Sequence, residues 1–372
     1  MRRAGASSPR RRRVRREAVK DEEHARGRRH RGAPEDTGSV VADAARPRSP
    51  LGGFRMKAAV VDALGAPPSY GDFREPEPGD GETVVTVHAA PLSPIVKALA
   101  SGRHYASGKS GGFVPGVDGV GTDAAGRRVY FLFPKAPFGS MAERALAMDS
   151  MIVPVPDMLS DEQAAAIATA GLASWIALSR RALLRKGDTV LVNGATGAAG
   201  GMAIQTARHF GASKVIAVGR NKVKLDRLDA DVNIALDDDA DRSLREQFDR
   251  GVDVVLDFVW GEPAVRVLRA ATKDRGSRAG EPRLRFVQLG TVAGDEVPIR
   301  GDMLRSTGLE LIGSGIGSVP VKQLVAGAGE LLAAAPAAGF RVPFRGLPLS
   351  AVTDAWSEEP DVRCLLLPNA KA

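Results

Sequence analysis

Glycines at 194, 197, 200 and 201 follow the apolar run Val190, Leu191, Val192 and precede the helically spaced Met202, Ile204, Ala207 and Phe210. This order predicts strand, tight turn and helix, with small residues where an anion needs the free N–H groups of a helix start. Ala195 occupies the first glycine position of the pattern, Gly197 and Gly200 are expected to let the backbone turn and a pyrophosphate approach, and Gly201 to let the helix pack against its sheet. A second apolar strand, Lys214–Gly219, follows at the distance that a dinucleotide-binding corner requires. Thr196, Ala198 and Ala199 complete the expected phosphate seat. The competing reading is a bland tight turn in a chain rich in Gly and Ala.

The end of the second strand selects the nucleotide. An acid there would hold a ribose 2′-hydroxyl and repel a 2′-phosphate. The chain reads Val218, Gly219, Arg220, Asn221, with Lys224 one helical turn on. Arg220 and Lys224 can give charge-assisted hydrogen bonds to a phosphate, so NADPH is the expected cofactor. The alternative is that both are solvated surface charges.

Two further patterns imitate known chemistry and fail on spacing or order. Tyr105-Ala-Ser-Gly-Lys109 has the Tyr-x-x-x-Lys form of short-chain dehydrogenases but precedes the glycine corner. Gly102 and Gly108-Lys109-Ser110 imitate a P-loop, yet five residues separate the glycines where four are required. The single cysteine, Cys364, lies in an apolar run and reads as a buried strand thiol; one cysteine excludes an internal disulfide and a cysteine-cluster zinc site.

The elements around the corner alternate. Strands are expected at 189–193, 214–218, 232–235, 252–257 and 284–289, with helices near 201–209, 222–229, 239–249 and 262–271. That alternation implies a parallel sheet with right-handed crossovers. Leu309–Gly313 is a further expected strand, followed by a helix near 320–334. Before the corner, short strands at 57–61, 83–88, 128–133 and 142–147 alternate with Gly/Pro turns and suggest a small irregular barrel. Ser160 is the expected N-cap of a helix starting at Asp161, and Val362–Leu367 is expected to return the chain to the first domain.

The net charge of +8 belongs to the first residues. Residues 1–55 hold 15 Arg and 1 Lys against 7 acids, while the rest of the chain carries 36 basic and 37 acidic side chains. This leader is almost free of aromatics and is expected to be disordered. It reads as a basic nucleic-acid arm, as a transit peptide that its acids argue against, or, preferred, as sequence upstream of a true start at Met56. No apolar run approaches the roughly 20 residues that span a bilayer, and a cytoplasmic location is expected.

Taken in order, Val114-Pro-Gly-Val-Asp-Gly-Val-Gly121, Phe138-Gly-Ser-Met-Ala-Glu143, Ala170–Leu178, the glycine corner, Gly251–Asp257 and Phe286–Gly294 resemble the zinc-free medium-chain dehydrogenase/reductases of the quinone oxidoreductase type. The resemblance covers Met56 to the C-terminus. It implies an α/β fold: a doubly wound parallel Rossmann sheet inserted in a GroES-like β-barrel domain. The implied division is 56–172 plus 310–372 for the GroES-like substrate domain and 173–309 for the Rossmann domain, with a homodimer usual. It adds Gly290 to the cofactor residues, places Tyr105 near the substrate as first candidate proton donor, and sets Ser93 beside the nicotinamide. His104 is the second candidate donor because it can titrate near neutrality. The competing reading of both is an ordinary mobile loop. His88 and His209 are expected to be structural.

Three departures stand out. Ser93 replaces a common Asn, Ala173 a common Thr, and Asp118 a frequent Glu. Neither a catalytic metal nor a structural zinc is expected. The implied function is NADPH-dependent hydride transfer to a quinone or an α,β-unsaturated carbonyl compound. An enoyl-thioester reductase of the same family is the alternative enzyme, and a non-catalytic NADPH-sensing or nucleic-acid-binding regulator the alternative of another class.

Overall fold

A computed structural model describes residues 54–370, apart from Lys109 and residues 359–361. The expected leader therefore lies outside the described residues, except for Phe54 and Arg55, the latter already in the first strand.

The barrel half opens with β1 (Arg55–Val60) antiparallel to β2 (Ser69–Arg74). Strand β3 (Glu82–Leu92) leads through helix α1 (Pro94–Ala100) to β4 (Asp118–Thr122), β5 (Arg128–Leu132), β6 (Arg144–Met148) and β7 (Ile152–Pro154). Helix α2 (Asp161–Ile176) starts on the expected N-cap. Ser160 and Gln163 form a capping box that satisfies two helix-start amides reciprocally.

The nucleotide half then alternates: β8 (Thr189–Asn193), α3 (Ala198–His209), β9 (Lys214–Gly219), α4 (Lys222–Leu225), β10 (Val232–Ala235), α5 (Ala240–Arg250), β11 (Val254–Asp257), α6 (Gly261–Thr272), β12 (Arg283–Gln288), α7 (Gly301–Arg305) and β13 (Gly308–Gly313). Its six strands pair in parallel in the order β10-β9-β8-β11-β12-β13. Strand order therefore reverses between β8 and β11, the switch point at which open α/β sheets bind ligands. Val190, Leu191, Val192, Val254, Val255 and Leu256 are all buried, because a central parallel strand is covered on both faces.

Helix α8 (Val321–Ala338), β14 (Phe344–Pro348), α9 (Val352–Ser357) and β15 (Arg363–Leu367) take the chain back to the barrel half. There β15 pairs antiparallel with β3 and parallel with β14, closing the order β14-β15-β3-β4-β5-β7, with β6 also on β3. Cys364 is buried in β15 as expected. Among the described residues no helix is long and apolar enough to cross a membrane.

One expectation needs correction. The helix expected over 222–229 is only the single turn of α4. Asp231 N–H and carboxylate bind the backbone of Val215, which pulls the chain back beside β9 before a second turn can form. The expected division at 309/310 falls inside β13, which pairs along its full length with β12. The division at 172/173 falls inside α2, which runs unbroken to Ile176.

Candidate cofactor cleft

Three glycine roles separate at the corner after β8. Gly194 makes the turn: its φ of +88° is the left-handed region, and an added Cβ would stand 2.8 Å from Val259 Cγ1. Gly200 makes the close approach, since a Cβ there would strike the Gly194 carbonyl and stand 2.7 Å from Ala195 Cα. Gly201, expected to be the packing glycine, meets nothing nearer than 4.0 Å, so that role belongs to Gly200. Gly197 is the N-cap of α3 with φ −81°, and its nearest neighbour would be 3.6 Å away. The protein itself does not demand glycine at 197. A ligand lying on the first turn of α3, formed by Ala198 and Ala199, would.

The expected nucleotide residues come together. Thr196, Arg220, Asn221 and Lys224 line one open depression at the end of β9. Gly219 permits this, because an added Cβ would stand 3.0 Å from Thr196 Cγ2. Asn221 is held as the N-cap of α4, its Oδ1 accepting from Lys224 N–H at 3.0 Å. Ala195 is buried beneath the turn.

Gly290 lies across the switch point, where a Cβ would run into the Phe258 carbonyl. Between it and the corner stand Asn193 and Asp257, paired in register at the ends of β8 and β11. Asp257 is fully buried, and burial pushes its carboxyl up to about 6, offset in part by the amides of Val259 and Trp260 and by Asn193. Asn193 and Asp257 carry no site assignment in the sequence reading. The available signal is a polar residue ending each of two fully buried apolar runs.

The candidate donors lie on the loop after α1. Tyr105 is 73% exposed, and its hydroxyl donates to the Ile316 carbonyl at 2.8 Å, joining this loop to the one after β13. The His104 ring lies against it, tilted by 30°, with the ring centroids 4.1 Å apart. Ala106 N–H donates to His104 Nδ1, and burial pushes the imidazole pKa down. Both effects favour the neutral ring with its proton on Nε2. Ser93, the N-cap of α1, is 3% exposed and its hydroxyl finds no partner among the described residues. Such an orphaned donor fits a ligand amide or carbonyl. No hydrogen bond or ring contact among the described residues joins Ser93, His104 or Tyr105 to the glycine corner.

The other two described histidines, His88 and His209, hold the frame. His88 Nδ1 pairs with Asp161 at 2.7 Å, at the start of α2, and Arg128 binds the second oxygen of that carboxylate. His209 stacks on Trp175. Asp118 is buried in β4, where the Tyr130 and Thr169 hydroxyls donate to its Oδ2 and burial raises its pKa. Among the described residues no three His, Cys, Asp or Glu side chains converge on a point that could hold a metal ion.

Comparison with known proteins points the same way. Residues 198–333 match the family model described as zinc-binding dehydrogenase. Over 352 residues the chain is 29% identical to a probable NADPH-dependent quinone reductase of Emericella nidulans, covering 82% of this chain and 97% of that protein. It is 31% identical over 169 residues to the quinone oxidoreductase of Homo sapiens, covering 42% of this chain and 50% of the other. The quinone oxidoreductase of Thermus thermophilus, solved also in complex with NADPH, superposes with a TM-score of 0.70 at 27% identity, over 84% of this chain and all of that one.

Proposed function

From the premise that the chain belongs to the medium-chain dehydrogenase/reductases, in their quinone oxidoreductase-like group, we propose that it is an NADPH-dependent oxidoreductase reducing a quinone or an α,β-unsaturated carbonyl compound without zinc. One observation carries the cofactor choice: Thr196, Arg220, Asn221 and Lys224 surround a single depression, with a cation where an NAD enzyme places an acid. Bound NADPH would supply the hydride. The chain's own residues bind and orient it and manage the proton.

The first turn of α3 would take the pyrophosphate on its free amides above Gly197, which the protein leaves uncrowded. Arg220 and Lys224 would hold the 2′-phosphate. Ser93 would offer its buried hydroxyl to the nicotinamide end. Negative charge developing on the substrate oxygen needs a positioned donor. Tyr105 would supply it by exchanging the Ile316 carbonyl for that oxygen, with neutral His104 as the second candidate through Nε2–H. A homodimer would cover the outer edge of β13, the last strand of the six-stranded sheet.

The test is titration of the whole chain with NADPH and NADH, followed by NADPH oxidation against a panel of quinones and enones, with and without a zinc chelator. Tight NADPH binding and chelator-insensitive turnover is the expected result. Binding without turnover would favour a sensor, and no binding would overturn the reading of the cleft.

A further inference from the structure

The pair beneath the glycine corner has a geometry that phosphate binding alone does not explain. Asn193 Nδ2 donates to Asp257 Oδ1 at 2.8 Å, while Asn193 Oδ1 is buried without a partner among the described residues. A buried amide oxygen left unpaired calls for an explanation. Asp257 in turn accepts from the Trp260 amide at 3.2 Å and, at a longer 3.4 Å, from that of Val259. Those amides belong to the segment Phe258–Gly261, in which Trp260 adopts φ +55°, ψ −154°. A residue other than glycine keeps such a backbone only where its surroundings hold it.

That segment is wedged between both walls of the cleft. On one side Phe258 N–H donates to the Asn193 carbonyl, and Val259 and Phe258 crowd Gly194. On the other the Phe258 carbonyl faces Gly290, and Ala293 N–H donates to the Val259 carbonyl at 2.7 Å. Through Phe258 and Val259 the segment therefore touches the glycine corner and the Gly290 turn at once.

We infer that Asn193 and Asp257 form a proton-coupled positioning pair that sets dinucleotide affinity through the Phe258–Gly261 segment. This rests on the proposed nucleotide reading of the cleft. With Asp257 ionised, Asn193 donates to it and the carboxylate holds the Trp260 amide with a charge-assisted bond. When a proton from solvent binds Oδ1, the Asn193 amide turns over. Its orphaned oxygen then accepts the new O–H, and the hold on the segment weakens to that of a neutral acceptor. Around Asp257 stand Asn193 from β8, Gln288 from β12 and the backbone amides that enter α6, all uncharged. Burial raises the carboxyl, and no charged side chain among the described residues contributes to that shift.

The experiment compares the NADPH dissociation constant of the unsubstituted chain and Asp257→Asn from pH 8 to pH 5. The 2′-phosphate itself titrates near pH 6, so the quantity read is the difference between the two proteins. Asn at 257 mimics the protonated state, its amide donating to the turned Asn193. The unsubstituted protein should weaken by about tenfold relative to the variant as pH falls to 5, and the two should converge there. A carboxyl-detected NMR titration of the unsubstituted chain reads the same event without a variant: saturating NADPH must lower the Asp257 pKa, by reciprocity of linked equilibria. Parallel curves, or an Asp257 pKa unmoved by NADPH, overturn the inference while leaving the cofactor reading intact. Absence of NADPH binding at pH 8 removes the cofactor reading and this inference with it.

Discussion

Two glycines three residues apart should respond in opposite ways to the same methyl group. At Gly200 an added Cβ strikes the Gly194 carbonyl and stands 2.7 Å from Ala195 Cα, so α3 must lift away from the turn. Overpacking of this kind costs about 1–3 kcal/mol. In a protein of this size that lowers Tm by roughly 2–5 °C. At Gly197 the backbone suits any residue, with φ −81° and ψ 161°, and the nearest protein atom is 3.6 Å from the new carbon. Alanine is a poorer N-cap than glycine, but it also restricts the unfolded chain, and the two effects of about 0.5–1 kcal/mol oppose each other. Gly197→Ala should therefore leave Tm within about 2 °C. Its NADPH dissociation constant should nevertheless rise about 10- to 100-fold, because the methyl group stands where a phosphate would take one charge-assisted bond worth about 1.5–3 kcal/mol. Thermal unfolding monitored by circular dichroism and fluorescence titration with NADPH read the two quantities separately. Unchanged affinity in Gly197→Ala would refute the placement of a phosphate on the first turn of α3, and an unchanged Tm in Gly200→Ala would refute the packing role.

Arg220→Ser should weaken NADPH by roughly 10- to 100-fold while leaving NADH within about twofold, since only the former carries the 2′-phosphate; parallel titrations decide. Tyr105→Phe should lower kcat by about 10²- to 10⁴-fold, the usual worth of a positioned proton donor, with no change in Tm because the side chain is largely exposed. An undiminished kcat would pass the role to His104. Asp257 makes stability pH-dependent with a definite sign. Its folded pKa of about 6 lies above its ordinary 3.8, so between those values the folded state holds more protons, and stability falls as pH rises through that window. The loss is about 3 kcal/mol at about 1.4 kcal/mol per unit. Urea unfolding of the unsubstituted chain against Asp257→Asn at pH 4 and pH 7.5 should show it, and a constant difference between the two would contradict it.

The nucleotide half was legible because its signals are local. Thr189–Asn193 and Val232–Ala235 have the expected bounds, since a short apolar run between turn residues admits little else. Thr196, Arg220, Asn221 and Lys224 meet because one strand-helix-strand unit brings the end of its second strand beside the turn after its first. Other features are written only in the third dimension. The exposed strand β14, with Gly346 and Pro348 in it, exists through its pairing with β15. The single turn of α4 is cut short by Asp231 reaching back to Val215, and nothing in the residues 222–229 announces that. The pairing of Asn193 with Asp257 depends on the register between β8 and β11, 64 residues apart in the chain. Pro94 directly after Ser93 was a helix-start signal in plain sight.

The return of β15 to β3 also fixes an order of events during synthesis. Ala90, Pro91 and Leu92 pair with Leu366, Leu365 and Cys364, which leave the ribosome about 270 residues later. At about 5–20 residues per second that is a delay on the order of tens of seconds. The six parallel strands, ending at Gly313, are all translated before β15 begins. Meanwhile the end of β3 presents unpaired backbone groups, an edge open to other chains. Ser93, the next residue, gains its final position only after the last strand docks, so nascent chains should depend most on chaperone protection in the barrel half.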